Sequence, residues 1–311
     1  MKNRLLKYIT FVLAIAAGTG CVEDFKVHVD KESSTVLVVD ALFTTEEAEQ
    51  HVKLTTSLPY SALRDSLPPV SGAFVTISDG ERTIRLDEDG NSGYYMIPAD
   101  FHGEEGRSYT LDVSASLDGR DVQCSATETM PLKGIRADAM DYYKMQDSLW
   151  VFALWGQDEP GIISHYGAEM VVHDKRKSYS NWVFIDGSDM FDGNYLYGGE
   201  YLFYSCSKLL KTEDGEELLP LEEGDVVTLR FYTMADFFYN WFMSMSSETT
   251  AHFPMISPQP ANLATNFAGD DVTGVFGLAN LTTLTVTIGD PERTREQMFM
   301  DHLDLLPYLK K

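Results

Sequence analysis

The sequence is poor in basic residues and in cysteine. Its 311 residues include 24 lysines and arginines against 48 aspartates and glutamates, which gives a formal net charge of −24 at pH 7. A surface of this sign repels nucleic-acid phosphates and anionic lipid headgroups. We therefore predict no nucleic-acid partner. Hydrophobic residues make up 44% of the chain and charged residues 23%, so a packed core is expected.

The sequence also lacks the short motifs that mark the common catalytic sites. It contains no H-E-x-x-H, no G-x-S-x-G, no Walker loop and no G-x-G-x-x-G after a predicted strand. The seven histidines are scattered, and the cysteines are too few for a zinc cluster of thiolates alone. We predict no catalytic residue, no metal site and no cofactor, and we expect a protein that is not an enzyme.

Two acidic turns come closest to a metal site. The first, Asp87-Glu88-Asp89-Gly90-Asn91, alternates oxygen ligands as calcium loops do, but its glycine comes too early for an EF-hand and no glutamate closes the loop. Hairpin turn chemistry explains the same residues. The second cluster, in a glycine-rich stretch, is weaker and comprises Asp186, Asp189 and Asp192. We interpret both as turns, with calcium binding as the alternative.

No apolar run reaches the roughly 20 residues that a membrane-spanning helix needs. The amino terminus instead has the parts of a secretory signal: cations at Lys2, Arg4 and Lys7, an apolar stretch over residues 8–17, and small residues over 16–20. These parts predict a signal peptide at residues 1–20. Its removal takes away three cations and no acid, so the mature chain becomes still more acidic.

Cys21 directly follows the small residues. Ordinary signal peptidase has no use for a cysteine there, so the position looks like the lipid acceptor of a bacterial lipoprotein, although Gly18 replaces the usual leucine. We predict that Cys21 is the lipid attachment site that anchors the protein to a membrane. A plain secreted protein is the alternative. Cys124 and Cys206 would then lie in an oxidising compartment, where one disulfide and two buried free thiols both remain open.

Beyond the signal, the chain divides into a tether and two β-rich parts. Residues 21–34 are polar and without sustained periodicity, which indicates a flexible tether. From Thr35 onward about seven short β-branched runs occur in roughly a hundred residues, with Asp118-Gly119 at a hairpin tip. This spacing predicts an antiparallel β-sandwich over residues 35–130. A proline and a glycine without alternation place the domain boundary just beyond.

Residues 131–311 are predicted to form a second β-rich domain with one prominent α-helix near 234–247. Thr233 and Asp236 have the spacing of a capping box, and an apolar stripe follows at helical spacing: Phe237, Phe238, Trp241, Phe242 and Met245. We expect this stripe to pack on a sheet, and an exposed partner-binding face is the alternative. Residues 177–205 predict aromatic loops with brief strands, which form either core or a binding surface. Residues 275–288 predict two strands, and a polar tail ends the chain.

Several stretches together resemble one known family. CVEDF at residues 21–25, VLVVDALFT at 36–44, PVSGAFVTISDG at 69–80, SGYYMIPADFHGEEGRSYTLDV at 92–113 and the stretch 254–288 resemble the Bacteroidota outer-membrane lipoproteins called domain of unknown function 4249. The closing motif of that family, glycine-hydrophobic-Phe-Gly after an asparagine-containing loop, is here Gly274-Val275-Phe276-Gly277. Gly269-Asp270-Asp271 stands where members often carry a glycine-rich approach.

The resemblance implies a location and a role, but no catalytic residues. Members look like accessory lipoproteins encoded beside TonB-dependent outer-membrane receptors, and their first domain resembles an immunoglobulin-like or carboxypeptidase-regulatory-like β-sandwich. In these bacteria, acids just after the lipidated cysteine resemble the signal for export to the outer leaflet, so Glu23 and Asp24 are expected to direct the protein to the cell surface. We expect a non-enzymatic binding component of a TonB-dependent nutrient-uptake system. The alternatives are a structural or adhesive, fimbrial-type lipoprotein and a glycan hydrolase.

Overall fold

The computed structural model describes residues 35–58, 67–162, 165–173, 178–186, 192–206, 218–249 and 263–305. The residues from Thr35 onward form one compact unit. Strands dominate it, with two α-helices in the part of the chain that is described, so the mainly β fold class is confirmed. Neither helix is long and apolar enough to cross a membrane. The predicted signal peptide and tether, with Cys21, Glu23 and Asp24, lie outside the described residues.

Seven strands form the first half of the fold, the number that the spacing of turns predicts. They are β1 (Leu37–Thr44), β2 (Gln50–Thr56), β3 (Phe74–Ser78), β4 (Thr83–Glu88), β5 (Tyr94–Ile97), β6 (Ser108–Leu117) and β7 (Arg120–Thr129). They pair in the order β1-β2-β5-β4-β3-β6-β7, and each pair is antiparallel. Side chains from both ends of this series, such as Val39 and Val122, pack in one core. The series therefore closes on itself as the predicted immunoglobulin-like sandwich.

The β6–β7 hairpin follows directly from local sequence. In β6 every second side chain is buried, Tyr109, Leu111 and Val113 among them, because polar and apolar residues alternate. Asp118 and Gly119 join the strands with φ angles of 50° and 78°. A two-residue type I′ turn requires positive φ at both positions, and Asp-Gly supplies it at low steric cost. The predicted hairpin tip is confirmed.

A second β-sandwich follows. Its strands are β8 (Ile135–Gln146), β9 (Leu149–Asp158), β10 (His165–His173), β11 (Ser178–Asp186), β12 (Tyr195–Ser205) and β13 (Val226–Met234). The sheet β12-β9-β8 packs on β11-β10-β13 around Trp150, Phe152 and Tyr166. Two long strands thus occupy the region predicted as loops, and that prediction is wrong. Gly198-Gly199 does not break β12, because the pair is accommodated where the register shifts in a β-bulge.

One long strand, β14 (Val272–Thr287), belongs to both halves of the fold. Its first part pairs in parallel with β1, from Leu37 opposite Val272 to Thr44 opposite Ala279. Its second part pairs antiparallel with β13. The two strands predicted here are therefore a single strand that changes partner. Phe276 and Leu278 complete the first core, together with Phe267.

Two helices cover the outside of the sheets. Helix α1 (Asp236–Thr249) lies where a helix was predicted and packs Phe238 and Tyr239 beside β14, so the expected packing of its stripe is confirmed. The predicted capping box is wrong, because Thr233 belongs to β13 and its hydroxyl accepts a hydrogen bond from Gly134 N at 3.3 Å.

The second helix replaces part of the predicted polar tail. Helix α2 (Arg295–Asp301) begins with a capping box between Thr294 and Gln297, and a 3₁₀ turn (Leu303–Leu305) follows it. Met298 is fully buried against Val151 and Trp155 on the outer face of β9. Because α2 covers this face, β9 is buried on both sides.

Candidate functional site

The outer surface of the first sandwich carries polar side chains in register across β3, β6 and β7. Strand pairing puts them in three rows: Ser78, Thr110 and Thr127; Thr76, Asp112 and Ser125; and Phe74, Ser114 and Gln123. Arg85 of β4 extends the middle row, because it pairs with Thr76. Neighbouring strands lie about 5 Å apart and successive rows about 7 Å apart. The three rows together form a flat polar surface that is comparable in size to a small ligand.

At one end of this surface the hydroxyl groups satisfy one another. Thr110 Oγ1 and Thr127 Oγ1 lie 2.8 Å apart, and Ser108 Oγ and Thr129 Oγ1 are separated by the same distance. Thr83 Oγ1 donates to Ser78 Oγ at 3.0 Å. Cross-strand hydroxyl pairs of this kind stabilise a sheet. This end of the surface is explained by the fold.

At the other end the pattern changes around an exposed aromatic ring. Phe74 is 51% exposed although it lies on a polar face, and the guanidinium carbon of Arg85 lies 5.0 Å from its ring centroid. A cavity of about 480 Å³ opens beside the ring. Val113, Cys124 and Ala268 contribute to its lining, and we call its other five lining residues the Phe74 face: Phe74, Asp112, Ser114, Gln123 and Ser125. Among the described residues, no side-chain hydrogen-bond partner is found for its four polar members.

A segment before β14 forms one wall of the cavity. Ala268 pairs with Ser125 in both directions, with N···O distances of 3.0 and 2.8 Å. Gly269 has a φ of 143°, and a Cβ atom there would lie 2.5 Å from the carbonyl oxygen of Gln123. This contact requires glycine at position 269. The free edge of β7 is therefore occupied at the cavity.

Cys124 lies under the Phe74 face and points into the first core. It is a free thiol, 6% exposed, and burial raises its pKa to about 11. A thiol with this pKa is almost entirely protonated near pH 7 and is a poor nucleophile. Cys206, at the end of β12, is also free, and burial raises its pKa. Of the two alternatives left open, the structure has the free thiols.

A cluster of ionisable side chains in direct contact lies elsewhere, at helix α2. Asp141 Oδ1 accepts from Arg293 Nη1 and Asp141 Oδ2 lies against His302 Nε2, both at 2.8 Å. The His302 ring packs on Trp155 with centroids 4.3 Å apart. Both oxygens of the buried carboxylate are thus engaged in holding the segment around α2 against β8 and β9. We infer that this cluster stabilises the fold, because a buried carboxylate needs charged or hydrogen-bonding partners.

A second cluster joins the two sandwiches. Arg230 of β13 donates two hydrogen bonds to Glu46, at 3.1 and 2.7 Å, and one to Tyr232. Burial lowers the pKa of Arg230, but the hydrogen bonds to Glu46 and Tyr232 outweigh it, so the pKa lies above its usual value. Glu169 of β10 completes the cluster at 3.4 Å from Arg230 Nε. These contacts hold the loop between β1 and β2, which carries Glu46, against β13 and β10.

The first acidic cluster lies at the turn between β4 and β5. Gly90 and Gly93 have φ angles of 63° and 75°, and Ser92 Oγ donates to the carbonyl of Asp89 at 2.6 Å. In the second cluster Asp192 accepts from Gly161 N at 2.6 Å, while Asp189 lies outside the described residues. In the described ranges no group of three or more histidine, cysteine, aspartate or glutamate side chains is placed to hold a metal ion.

In the described part of the aromatic region, two tyrosine rings contact each other near the surface. Tyr195 and Tyr197 of β12 have ring centroids 4.6 Å apart, and Tyr197 is 40% exposed. Tyr195 donates to Asp138 Oδ2 at 2.7 Å, and burial together with that carboxylate raises its pKa. The pair packs beside the 3₁₀ turn after α2, since Tyr195 and Leu305 share one cluster. It contributes mainly to packing.

A family model described as a domain of unknown function (DUF4249) matches residues 22–285. The chain belongs to the DUF4249 family. It is also similar to a segment of two fibronectin type III domains from chicken tenascin, with 11% identity over 64% of this chain and 91% of that chain, at a TM-score of 0.19. A four-repeat segment from the extending region of a large adhesion protein shows 12% identity over 83% of this chain and 50% of that one, at a TM-score of 0.21. These scores are too low to carry an argument. No curated protein matches.

The closing motif of this DUF4249 protein has a structural explanation. Asn266 Oδ1 accepts from Phe276 N at 3.0 Å and Asn266 Nδ2 donates to Phe276 O at 2.9 Å, so one amide satisfies both backbone groups of a buried residue. A Cβ atom at Gly274 would lie 1.9 Å from the Val39 carbonyl oxygen, and one at Gly277 would lie 2.3 Å from the ring of Phe238. Asn266 and the motif glycines therefore have structural roles: Asn266 pairs with the backbone of β14, and the glycines allow β14 to lie close to β1 and helix α1.

The Phe74 face was missed by sequence reasoning, although the sequence carries a signal for it. In β3, FVTIS, the apolar phase is Val75 and Ile77, while Phe74 shares its phase with Thr76 and Ser78. An aromatic residue on the polar phase of a strand is exposed by the alternation rule. Its polar neighbours come from strands distant in sequence, so only the pairing reveals them.

Proposed function

We propose that this DUF4249 protein is a lipid-anchored outer-membrane protein that faces the cell surface, where it binds a ligand for a TonB-dependent uptake receptor and catalyses no reaction. The observation that carries the proposal is the Phe74 face, where an exposed ring and unpaired polar side chains border one cavity. Such a combination suits reversible binding. The anchor and its orientation rest on Cys21, Glu23 and Asp24 in the sequence.

The point at which the chain enters the fold is consistent with binding near the membrane. A tether over residues 21–34 spans at most about 50 Å when fully extended. The carbonyl of Thr35 accepts from Arg120 Nη2 at 3.0 Å, at the tip of the β6–β7 hairpin. Gln123 follows along the same strand at about 10 Å from Arg120. A receptor in the same membrane would therefore be within reach of the Phe74 face.

The anchor is tested by fractionating cells that express the full chain. We expect Cys21→Ala to leave the outer-membrane fraction after a high-salt wash, because the lipid would be the main attachment to the membrane. Cys206→Ala is the matched control and should stay in that fraction. Retention of Cys21→Ala would contradict the proposed anchor. Protease treatment of intact cells reports the orientation, since a surface protein is cleaved without lysis.

The role in uptake is tested by capture of a partner from solubilised outer membranes. The lipidated protein should recover a TonB-dependent receptor, identified by mass spectrometry, and Cys21→Ala should recover less because it is no longer held in the same membrane. Recovery of no such receptor would contradict this part of the proposal. Incubation with polysaccharides should release no new reducing ends, and their release would favour a hydrolase.

A further inference from the structure

We propose that the Phe74 face binds a neutral saccharide. The inference rests on the proposed function, because it names the class of ligand that the face would capture. Three features carry it: an exposed aromatic platform, a set of unpaired polar groups in fixed register, and a local balance of charge.

The platform is the ring of Phe74. It is 51% exposed at the border of a cavity of about 480 Å³, and the Arg85 guanidinium lies over the ring, 5.0 Å from its centroid. The volume falls within the range of about 300–1,000 Å³ that small-ligand sites occupy. A flat apolar ring beside polar groups fits a sugar, since a pyranose has an apolar face of C–H groups and a rim of hydroxyl groups. The ring alone would fit many ligands, so the polar groups decide the class.

Polar side chains beside the ring find no side-chain partner among the described residues. Asp112 offers two acceptor oxygens, Gln123 offers an acceptor and two donors, and Ser114 offers one of each kind. In the described part of the chain these side chains have no hydrogen-bond partner, whereas the Thr110–Thr127 pair one row away is closed at 2.8 Å. Paired hydroxyl groups of the same kind could also have been placed on these strands beside the ring. A ligand with many hydroxyl groups matches this mixture of donors and acceptors.

The charges disfavour an anionic ligand. Arg85 and Asp112 lie in one row on either side of Thr76, so one cation and one anion flank the surface. The net charge of −24 repels anions at longer range. Arg85 already occupies a position over the ring that a ligand cation would take. An anionic sugar is therefore disfavoured, whereas a neutral sugar meets no such repulsion.

A peptide is disfavoured by the edge of the sheet. An extended peptide binds a sheet by adding a strand to a free edge. At the cavity, the edge of β7 is occupied because Ala268 pairs with Ser125 in both directions. A peptide would have to displace that segment and break both bonds. A sugar needs no free strand edge.

The test is calorimetric titration of the full-length, detergent-solubilised protein with neutral cello-, malto-, xylo- and manno-oligosaccharides, and with oligogalacturonate as the anionic comparison. We expect at least one neutral series to bind and Phe74→Ala to weaken that binding by at least about tenfold. Asp112→Asn should weaken it in the same direction, because a carboxylate is the stronger acceptor. Phe203→Ala is the matched control: Phe203 is 44% exposed on β12, in the other sandwich, and its loss should change nothing.

Other outcomes overturn the inference. Binding by no neutral series, stronger binding of oligogalacturonate, or equal binding by Phe74→Ala would each do so. Because Phe74 is exposed, Phe74→Ala should keep its melting temperature, and a large drop would assign the residue to stability. If Phe74→Ala loses receptor capture while no sugar binds, the face docks the receptor. In that case the saccharide is refuted and the proposed function stands.

Discussion

Replacing Asn266 by alanine should destabilise the protein more than its half-buried position suggests. Its side-chain amide accepts from Phe276 N at 3.0 Å, and donates to Phe276 O at 2.9 Å and to Glu128 at 3.0 Å. Phe276 is 0% exposed, so its N–H and C=O lose the side-chain partner that Asn266 provides. Leaving a buried polar group unpaired costs about 1–3 kcal/mol. With two such groups and some access of water, we expect a loss of about 2–3 kcal/mol in the free energy of unfolding.

Asn266→Asp separates the two hydrogen bonds to Phe276. The carboxylate still accepts from Phe276 N, but it faces the Phe276 carbonyl and Glu128, so its charge is unfavourable there. Its pKa in the folded protein is therefore expected above the usual value of about 3.9. A group with a raised folded pKa contributes stability below that pKa and loses it as the pH rises. The deficit of Asn266→Asp relative to the unmodified protein should therefore shrink from pH 7 towards pH 5.

Urea unfolding followed by tryptophan fluorescence measures these differences. Asn240→Ala is the matched control, because Asn240 is exposed on α1 and its amide donates only to Asp236 O within its own helix. We expect the control to change the free energy of unfolding by less than about 0.5 kcal/mol. An Asn266→Ala variant as stable as the control would refute the reasoning. It would mean that water replaces the amide at Phe276 without cost.

Two further predictions concern other buried positions. Gly277→Ala should lower the free energy of unfolding by about 1–3 kcal/mol, because its Cβ would lie 2.3 Å from the Phe238 ring. Gly289→Ala is the control, because no atom lies within 4 Å of a Cβ placed there. Equal stability of the two variants in urea would contradict the predicted clash. Iodoacetamide at pH 8 should label Cys206 before Cys124, because a thiol with a pKa of about 11 holds few thiolates at that pH. Mass spectrometry after digestion gives the order, and labelling of Cys124 first would contradict it.

Local signals in the sequence predict the elements that depend on neighbouring residues. The alternation in β6 and the Asp118-Gly119 turn specify the hairpin, because a two-residue loop fixes the register of the strands it joins. The apolar stripe from Phe237 onward specifies helix α1. The Thr294–Gln297 capping box was equally readable and marks α2, which the polar appearance of the tail concealed.

Elements whose pairing partners are distant in the sequence cannot be predicted from local signals. Strand β14 continues through Asn280, which is 4% exposed, because β1 pairs with its first part and β13 with its second. The Gly198-Gly199 pair looks like a loop, but β9 pairs with β12 on both sides of it. Tertiary context overrides local preference in both cases.

The sequence by itself determined the β character of the chain, its acidity and the α1 stripe, and it predicts a signal peptide at residues 1–20, since each depends on composition or on residues close together in the chain. Only the tertiary structure decided the candidate site. Phe74, Asp112 and Gln123 come from three strands, and the hydrogen-bond register between those strands brings them to one cavity. That register is set by which side chains the closed core can bury, a condition that involves the whole sandwich at once.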